Sequence, residues 1–283
     1  MLKLASDLHL EFYLESVLAK GQPVLDSLLQ YMFKPSIHDK DTILILAGDI
    51  LLLKQLKHFN YFFEKLSLQY KAVLWIFGNH EWFKSTINAK SVIEVKEYLA
   101  YLSNVHILEN EIFENEDYYI VGSTLWSDIN KGDYLTAHDV AKVSRDYKKI
   151  TFQEGKNYSN LRPRQVSQMF KNNEAFIFES LMKAKDFNKT KVVVTHHPPT
   201  VKAIPEHYKI NSDYWSDFGQ VNFDKLKEFD ILPKFWFHGH IHESQTIDVM
   251  GVQVLSNTWD YNDGGKDNKP FISESYLPNF IVK

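Results

Sequence analysis

Seven of the twelve histidines lie in five short motifs. These are Asp7-Leu8-His9, Gly48-Asp49, Gly78-Asn79-His80-Glu81, His196-His197-Pro198-Pro199 and His238-Gly239-His240-Ile241-His242. His38, His58, His106, His138 and His207 are scattered singly. Carboxylate, amide oxygen and imidazole together suit Mn, Fe or Zn, whereas Mg prefers oxygen almost alone. A carboxylate such as Asp49 can bridge two cations, and a metal pair ~3.5–4 Å apart clamps the attacking and leaving oxygens of an in-line phosphoryl displacement. Such a pair also lowers the pKa of a shared water. No motif is specific alone: Asp-x-His and Gly-Asp recur by chance, and a single His after a strand is more often a hydrogen-bonded structural residue. The five in order, each following an apolar strand, read as one two-metal site.

The elements that must position these residues are legible from hydrophobic patterning. Leu2 to Ser6, Thr42 to Ala47, Ala72 to Phe77 and Val105 to Leu108 are short apolar runs, as expected of strands buried on both faces. A helix is expected around Val24 to Met32. Leu52, Leu56, Phe59, Phe63 and Leu66 repeat at helical spacing and predict a helix with one buried stripe, as do Val92, Val95, Leu99 and Leu102. This β-loop-β-α-β-α-β order predicts a mostly parallel sheet covered by helices. Ile112-Phe113 and Tyr118 to Val121 flank a hairpin turn. Residues 126–160 are read as loops and short helices, Gln165 to Lys185 as a helix, and Val192 to Thr195 and Phe235 to Phe237 as strands. Thr246 to Val249 and Val252 to Leu255 make a hairpin about Met250-Gly251. Asn262 to Lys269 is a polar loop without the context of a phosphate-binding P-loop. In α/β sheets the carboxyl ends of strands face the ligand crevice. Asp7 and His9, two apart on extended chain, would point the same way.

The first candidate ligand is Asp7 and the last His242, so one site needs nearly the whole chain of 283 residues. A single domain over 1–283 is expected, with loop-rich excursions near 123–160 and 198–234. The chain has no cysteine, which excludes thiolate catalysis and thiolate zinc sites. A net charge of −4 gives no overall basic field for nucleic acid. Met1 lies so close to Asp7 that no cleavable signal peptide fits, and no apolar run approaches the ~18 residues of a membrane span. A cytoplasmic protein without membrane contact is expected; the sequence leaves its oligomeric state open.

The ordered set D-x-H, G-D, G-N-H-E, H-x-P and G-H-x-H over residues 7–242 resembles the calcineurin-like metallophosphoesterase superfamily. Ser6 to Phe12, Gly122 to Asp128 and Val193 to Pro199 resemble its small bacterial predicted-phosphoesterase branch. The resemblance implies an α/β fold, a four-layer αββα sandwich, and two divalent metal ions. It implies that Asp7, His9 and His242 hold one metal, that Asn79, His196 and His240 hold the other, and that Asp49 bridges them. His80 would approach the leaving-group oxygen as general acid or electrostatic stabiliser, and a metal-bound hydroxide would be the nucleophile. The H-x-P form favours His196 over its neighbour His197, which should point away. This branch often carries an Asn-Pro-Arg-Gly-like turn; here Ser256-Asn257-Thr258-Trp259 keeps the Asn and lacks the Arg. Arg145, Arg162 and Arg164 are candidates for the missing phosphate contact, although a solvated surface role is favoured for each singly. Trp126, Trp215 and Trp259 are candidates to stack on a base, with packing the commoner role. The expected function is a metal-dependent phosphoester hydrolase, manganese among its candidate metals, and a phosphodiesterase in preference to a phosphatase. Its expected partner is a small nucleotide-like phosphorylated substrate. A nuclease on DNA or RNA and a non-catalytic metal-binding interaction module are the alternatives.

Overall fold

The near-continuous apolar runs form the centres of two sheets. In the computed structural model, which describes residues 1–210, 212–259 and 276–282, the strands are β1 (Leu2–Ala5), β2 (Ile43–Ala47), β3 (Ala72–Ile76), β4 (Thr86–Ile87), β5 (Val105–Ile107), β6 (Glu111–Glu114), β7 (Tyr118–Ser123), β8 (Thr151–Glu154), β9 (Asn157–Asn160), β10 (Thr190–Thr195), β11 (Phe235–His238), β12 (Gln245–Val249), β13 (Val252–Ser256) and β14 (Ile281–Val282). One sheet runs β14-β1-β2-β3-β5, parallel except for β14. The other runs β12-β13-β11-β10-β7-β6, with a parallel centre and antiparallel edges.

Side-chain alternation makes these sheets the two inner layers of a sandwich. Leu2, Leu4, Ile43, Ile45 and Leu74 of the first sheet share one buried cluster with Ile120, Val192, Val194, Phe235 and Phe237 of the second. Their sequence neighbours face the opposite way, as period-2 geometry demands. On one outer face Trp75 meets Phe63 of the helix Asn60–Gln69, with ring centroids 5.0 Å apart. On the other, Trp236 meets Phe223 at 5.5 Å, and the helix Pro163–Lys183 packs along β7. The layers are therefore helix, sheet, sheet, helix. No helix among the described residues is long and apolar enough to cross a membrane.

Three expectations need correction. The stripe from Leu52 to Leu66 is buried, but it is not one helix. A 3-10 helix over Leu53–His58 ends at Phe59 (φ −118°, ψ 16°), and the α-helix starts at Asn60. Residues 126–160 hold a β-hairpin, β8–β9, which joins β4 in a third, three-stranded sheet. Finally, Asp7 and His9 are not extended: their φ angles are 54° and 46°. The loop Asn262 to Lys269 lies outside the described residues.

Candidate metal centre

The motif residues sit where β1, β2, β3, β10 and β11 end, and hydrogen bonds between the sheets and within the second one bring those ends together. His240 N–H donates to the Asp7 carboxylate at 3.0 Å, and Gly239 N–H donates to the His196 carbonyl at 2.9 Å. Two glycines create the room. At Gly48 (φ 85°) a Cβ would stand 2.3 Å from His196 Nδ1, and at Gly78 one would stand 2.2 Å from Asp49 Oδ1. Five donors, Asp7, His9, Asp49, His240 and His242, have φ between 46° and 73°. Side chains with a Cβ rarely adopt this left-handed backbone, and it concentrates at functional sites.

The donors form two sets that meet at Asp49. On one side His9 Nε2 lies 3.2 Å from His242 Nε2 and 3.8 Å from Asp49 Oδ2, while His242 Nε2 lies 3.4 Å from Asp7 Oδ1. On the other, His196 Nε2 lies 3.0 Å from Asn79 Oδ1, 3.2 Å from His240 Nδ1 and 3.4 Å from Asp49 Oδ1. Ligands ~2.0–2.2 Å from a common ion stand roughly 3–3.5 Å from one another, so the spacing fits a cation in each set. The charge balance fits too. Burial, together with the Glu81 and Asp7 anions, pushes the Asp49 carboxyl well above the usual carboxylate range. Burial also keeps His196 neutral, well below its ordinary pKa. Its Nδ1 stands 3.0 Å from the Ala47 carbonyl, which can only accept, so the Nε2 lone pair is left for a metal.

Supporting carboxylates complete the arrangement. Glu11 Oε1 lies 3.1 Å from His9 Nδ1 and 2.9 Å from His80 Nδ1. Burial disfavours its charge, but the bonds from His80 and His9 hold its pKa at about 2. Glu81 accepts backbone N–H bonds from Asp49, Ile50 and Gly78 at 2.7–2.9 Å and the Trp75 indole N–H at 3.2 Å. It thereby latches the Gly48-Asp49 turn to the Gly78-Asn79 turn, and burial raises its pKa to about 7. Asp146 accepts from Asn79 Nδ2 at 2.9 Å, which aims the amide oxygen at His196. Asp217 lies 3.6 Å from His240 Nε2. Burial opposes the charged form of His240, yet Asp217, Asp146 and Asp7 raise its pKa.

None of these four carboxylates was assigned a role from sequence. Glu11 and Glu81 were legible as neighbours of motif donors; Asp146 and Asp217 carry no local signal. His197 is buried, its ring 4.3 Å from that of His240, outside both donor sets. His238 is also buried, with Nδ1 at 3.0 Å from the Gly239 carbonyl. Trp126 and Trp259 are core residues, and Trp215 stacks on Tyr214 within the second excursion. Asn257 donates to the Leu4 and Leu277 carbonyls, a structural tie that needs no arginine beside it. Arg164 pairs with Glu154 on the surface, Arg162 begins a helix, and only Arg145 adjoins a site residue, Asp146. The donors open onto a cavity of about 250 Å³ lined by Asp49, Asn79, His80, His240, His242, Asp217, Ile204, Tyr208 and Ile241.

Two packed α/β sheets with a His, Asp and Asn donor cluster at their seam define a metal-binding phosphoesterase. The chain belongs to the calcineurin-like phosphoesterase family, whose pattern matches residues 2–244. It is 26% identical over 282 residues to uncharacterized protein L509 of Acanthamoeba polyphaga mimivirus, covering 96% of this chain and 95% of that one. Among solved structures it resembles the phosphopantetheinyl hydrolase PptH of Mycobacterium tuberculosis, at 17% identity and TM-score 0.64, covering 96% and 93% of the two chains. A dimetal phosphatase of Danio rerio aligns at 10% identity and TM-score 0.43, covering 90% and 86%.

Proposed function

We propose that this phosphoesterase is a single catalytic domain that hydrolyses a small, nucleotide-like phosphodiester with two divalent cations. One cation is held by Asp7, His9 and His242 and the other by Asn79, His196 and His240, with Asp49 between them. The observation that carries this reading is the Asp49 carboxylate, whose Oδ2 faces the first donor set and Oδ1 the second. Two cations there (Mn, Fe or Zn suit the donors) would lower the pKa of a shared water and stabilise charge on the phosphoryl oxygens. The attacking oxygen comes from water, so no covalent enzyme intermediate forms.

The chain's own part is orientation and proton transfer. Glu11 receives the Nδ1–H of His80 and leaves Nε2 to face the cavity. From there a protonated His80 gives its Nε2 proton to the departing alkoxide oxygen. Alkoxides need that proton more than good leaving groups do, which favours diesters. Ile204, Tyr208 and Ile241 offer an apolar wall for the organic part of the substrate. With added Mn²⁺, bis-p-nitrophenyl phosphate should turn over faster than p-nitrophenyl phosphate. On a dialkyl phosphodiester, whose alkoxide needs the proton, the His80→Ala chain should lose about 10²–10⁴-fold in turnover while binding as much metal as wild type. Unchanged turnover in that variant would remove His80 from the reaction.

A further inference from the structure

Three cations gather beside the turn that follows His80, and the hydrolysis so far described has no use for them. Phe83 stacks on the His80 ring with centroids 4.1 Å apart, and the Lys149 ammonium lies 4.9 Å from the Phe83 ring centroid. Lys84 follows, held in a left-handed conformation (φ 59°) with its backbone N–H bonded to the Lys149 carbonyl at 2.6 Å. Arg145 begins the short helical turn Asp146–Lys149, whose Asp146 accepts the Asn79 amide.

The third sheet explains how residues so far apart in sequence meet. β4 directly follows Lys84 and Ser85, and it pairs with β8, which directly follows Lys149 and Ile150: Thr86 registers with Thr151 and Ile87 with Phe152. Thr151 N–H adds a bond to the Ser85 carbonyl at 3.0 Å. This small sheet staples the Arg145–Lys149 segment against the His80 turn. A left-handed residue outside glycine is costly and persists where its surroundings enforce it; here the enforcement presents Lys84 beside Lys149.

The charges do not cancel locally. Partial desolvation, with Arg145 and Lys84 nearby, holds the Lys149 ammonium below its ordinary pKa, against the pull of Glu11 and Asp146. Glu11 is engaged by His9 and His80, and Asp146 by Asn79. Among the described residues, none of Lys84, Arg145 and Lys149 has a carboxylate within ion-pair distance, and all three are exposed. The Arg164–Glu154 pair on the adjoining hairpin is the contrast: a surface arginine already neutralised.

We propose that Lys84, Arg145 and Lys149 form a subsite for an anionic group, phosphate or carboxylate, carried by the leaving alcohol of the substrate. The inference rests on the reading that His80 faces the leaving oxygen; Phe83 then places the cations on the leaving-group side of the centre. An arginine fork with two ammonium groups suits a phosphate or carboxylate oxygen cluster. The substrate class is narrowed to phosphoesters with a second anionic group on the departing part.

Two methyl phosphodiesters test this, one of p-nitrophenol and one of m-carboxy-p-nitrophenol, whose leaving groups differ by one carboxylate. The full-length Mn²⁺-loaded enzyme should prefer the carboxylated ester about fivefold in kcat/KM, the scale of a few partly exposed ion pairs. The preference should fall as ionic strength rises. It should drop to near unity in the Arg145→Gln/Lys149→Gln chain and persist in Arg164→Gln. Equal use of both esters by wild type would overturn the subsite, as would a preference that survives the double substitution. Turnover of neither ester would instead overturn the phosphodiesterase reading on which it rests.

Discussion

The two sheets bring different chemistry to one seam. Ends of the first sheet supply oxygen, from Asp7, Asp49 and Asn79, with one imidazole, His9. Ends of the second supply imidazole alone, from His196, His240 and His242. Each side is unfavourable by itself. The first gathers buried carboxylates whose repulsion, with desolvation, makes ionisation of Asp49 costly. The second crowds imidazoles together, with the His196 and His240 ring nitrogens 3.2 Å apart, and burial holds His196 neutral. A cation relieves both at once, by neutralising carboxylates and accepting lone pairs. The electrostatic cost of this site is shared across the seam between the two sheets, and neither sheet can offset it alone.

Asp49 breaks the comparison most severely, because it belongs to both donor sets. The Asp49→Asn chain should lose diester turnover by at least about a hundredfold, as removal of a transition-state electrostatic group does. Its stability should change in opposite directions with and without metal. In metal-free protein, loss of a carboxyl whose charge is disfavoured should leave thermal stability equal or higher; with Mn²⁺ the wild type should be the more stable. A variant less stable than wild type in both states would show that Asp49 acts as a structural residue.

Glu11 tests the first side alone. Glu11→Gln keeps the shape but weakens the bonds that orient His9 and His80. Partners of this kind are worth roughly 10–100-fold in metal affinity or activity. The variant should lose about that much turnover, with weaker Mn²⁺ binding through His9. Unaltered kinetics would mean that packing, not Glu11, fixes these rings.

The smallest effect concerns the second side and pH. Burial lowers the His238 pKa from 6.5 to about 4. The unfolded chain therefore takes up a proton near 6.5 that the folded chain refuses until about 4. The stability from a neutral His238 is present above 6.5 and is lost as pH falls toward 4. His238→Gln cannot titrate, so relative to wild type the metal-free variant should gain on the order of 1–3 kcal/mol across that window. Denaturant unfolding at successive pH values reads the difference; a constant offset would refute it.

Much of this was legible because strands and metal donors leave local marks. Buried strands read as continuous apolar runs, and Asp7, Asp49, Asn79, His196 and His240 each follow one. The hairpin about Met250-Gly251 was equally plain, and both residues have positive φ. What sequence concealed was long-range or conformational. The stripe through Phe59 has helical spacing although its backbone leaves the helix there, since spacing reports burial rather than hydrogen bonding. β4 has two residues, too few to show alternation, and its partner lies more than sixty positions away. Left-handed backbone at Asp7, His9 and Asp49 is imposed by tertiary bonds, such as Asp7 N–H to the Gly48 carbonyl and His9 N–H to the Asp49 carbonyl, each 3.0 Å. Asp146 reaches Asn79 through the third sheet, so its role became visible only with that sheet in place.

The central claim is that the seam holds two cations, one on each side of Asp49. Anomalous diffraction from crystals of the full chain grown with Mn²⁺ tests it most directly. The account expects two peaks about 3.5–4 Å apart, one among Asp7, His9 and His242 and one among Asn79, His196 and His240, with Asp49 touching both. A single peak, or manganese bound away from Asp49, would contradict it.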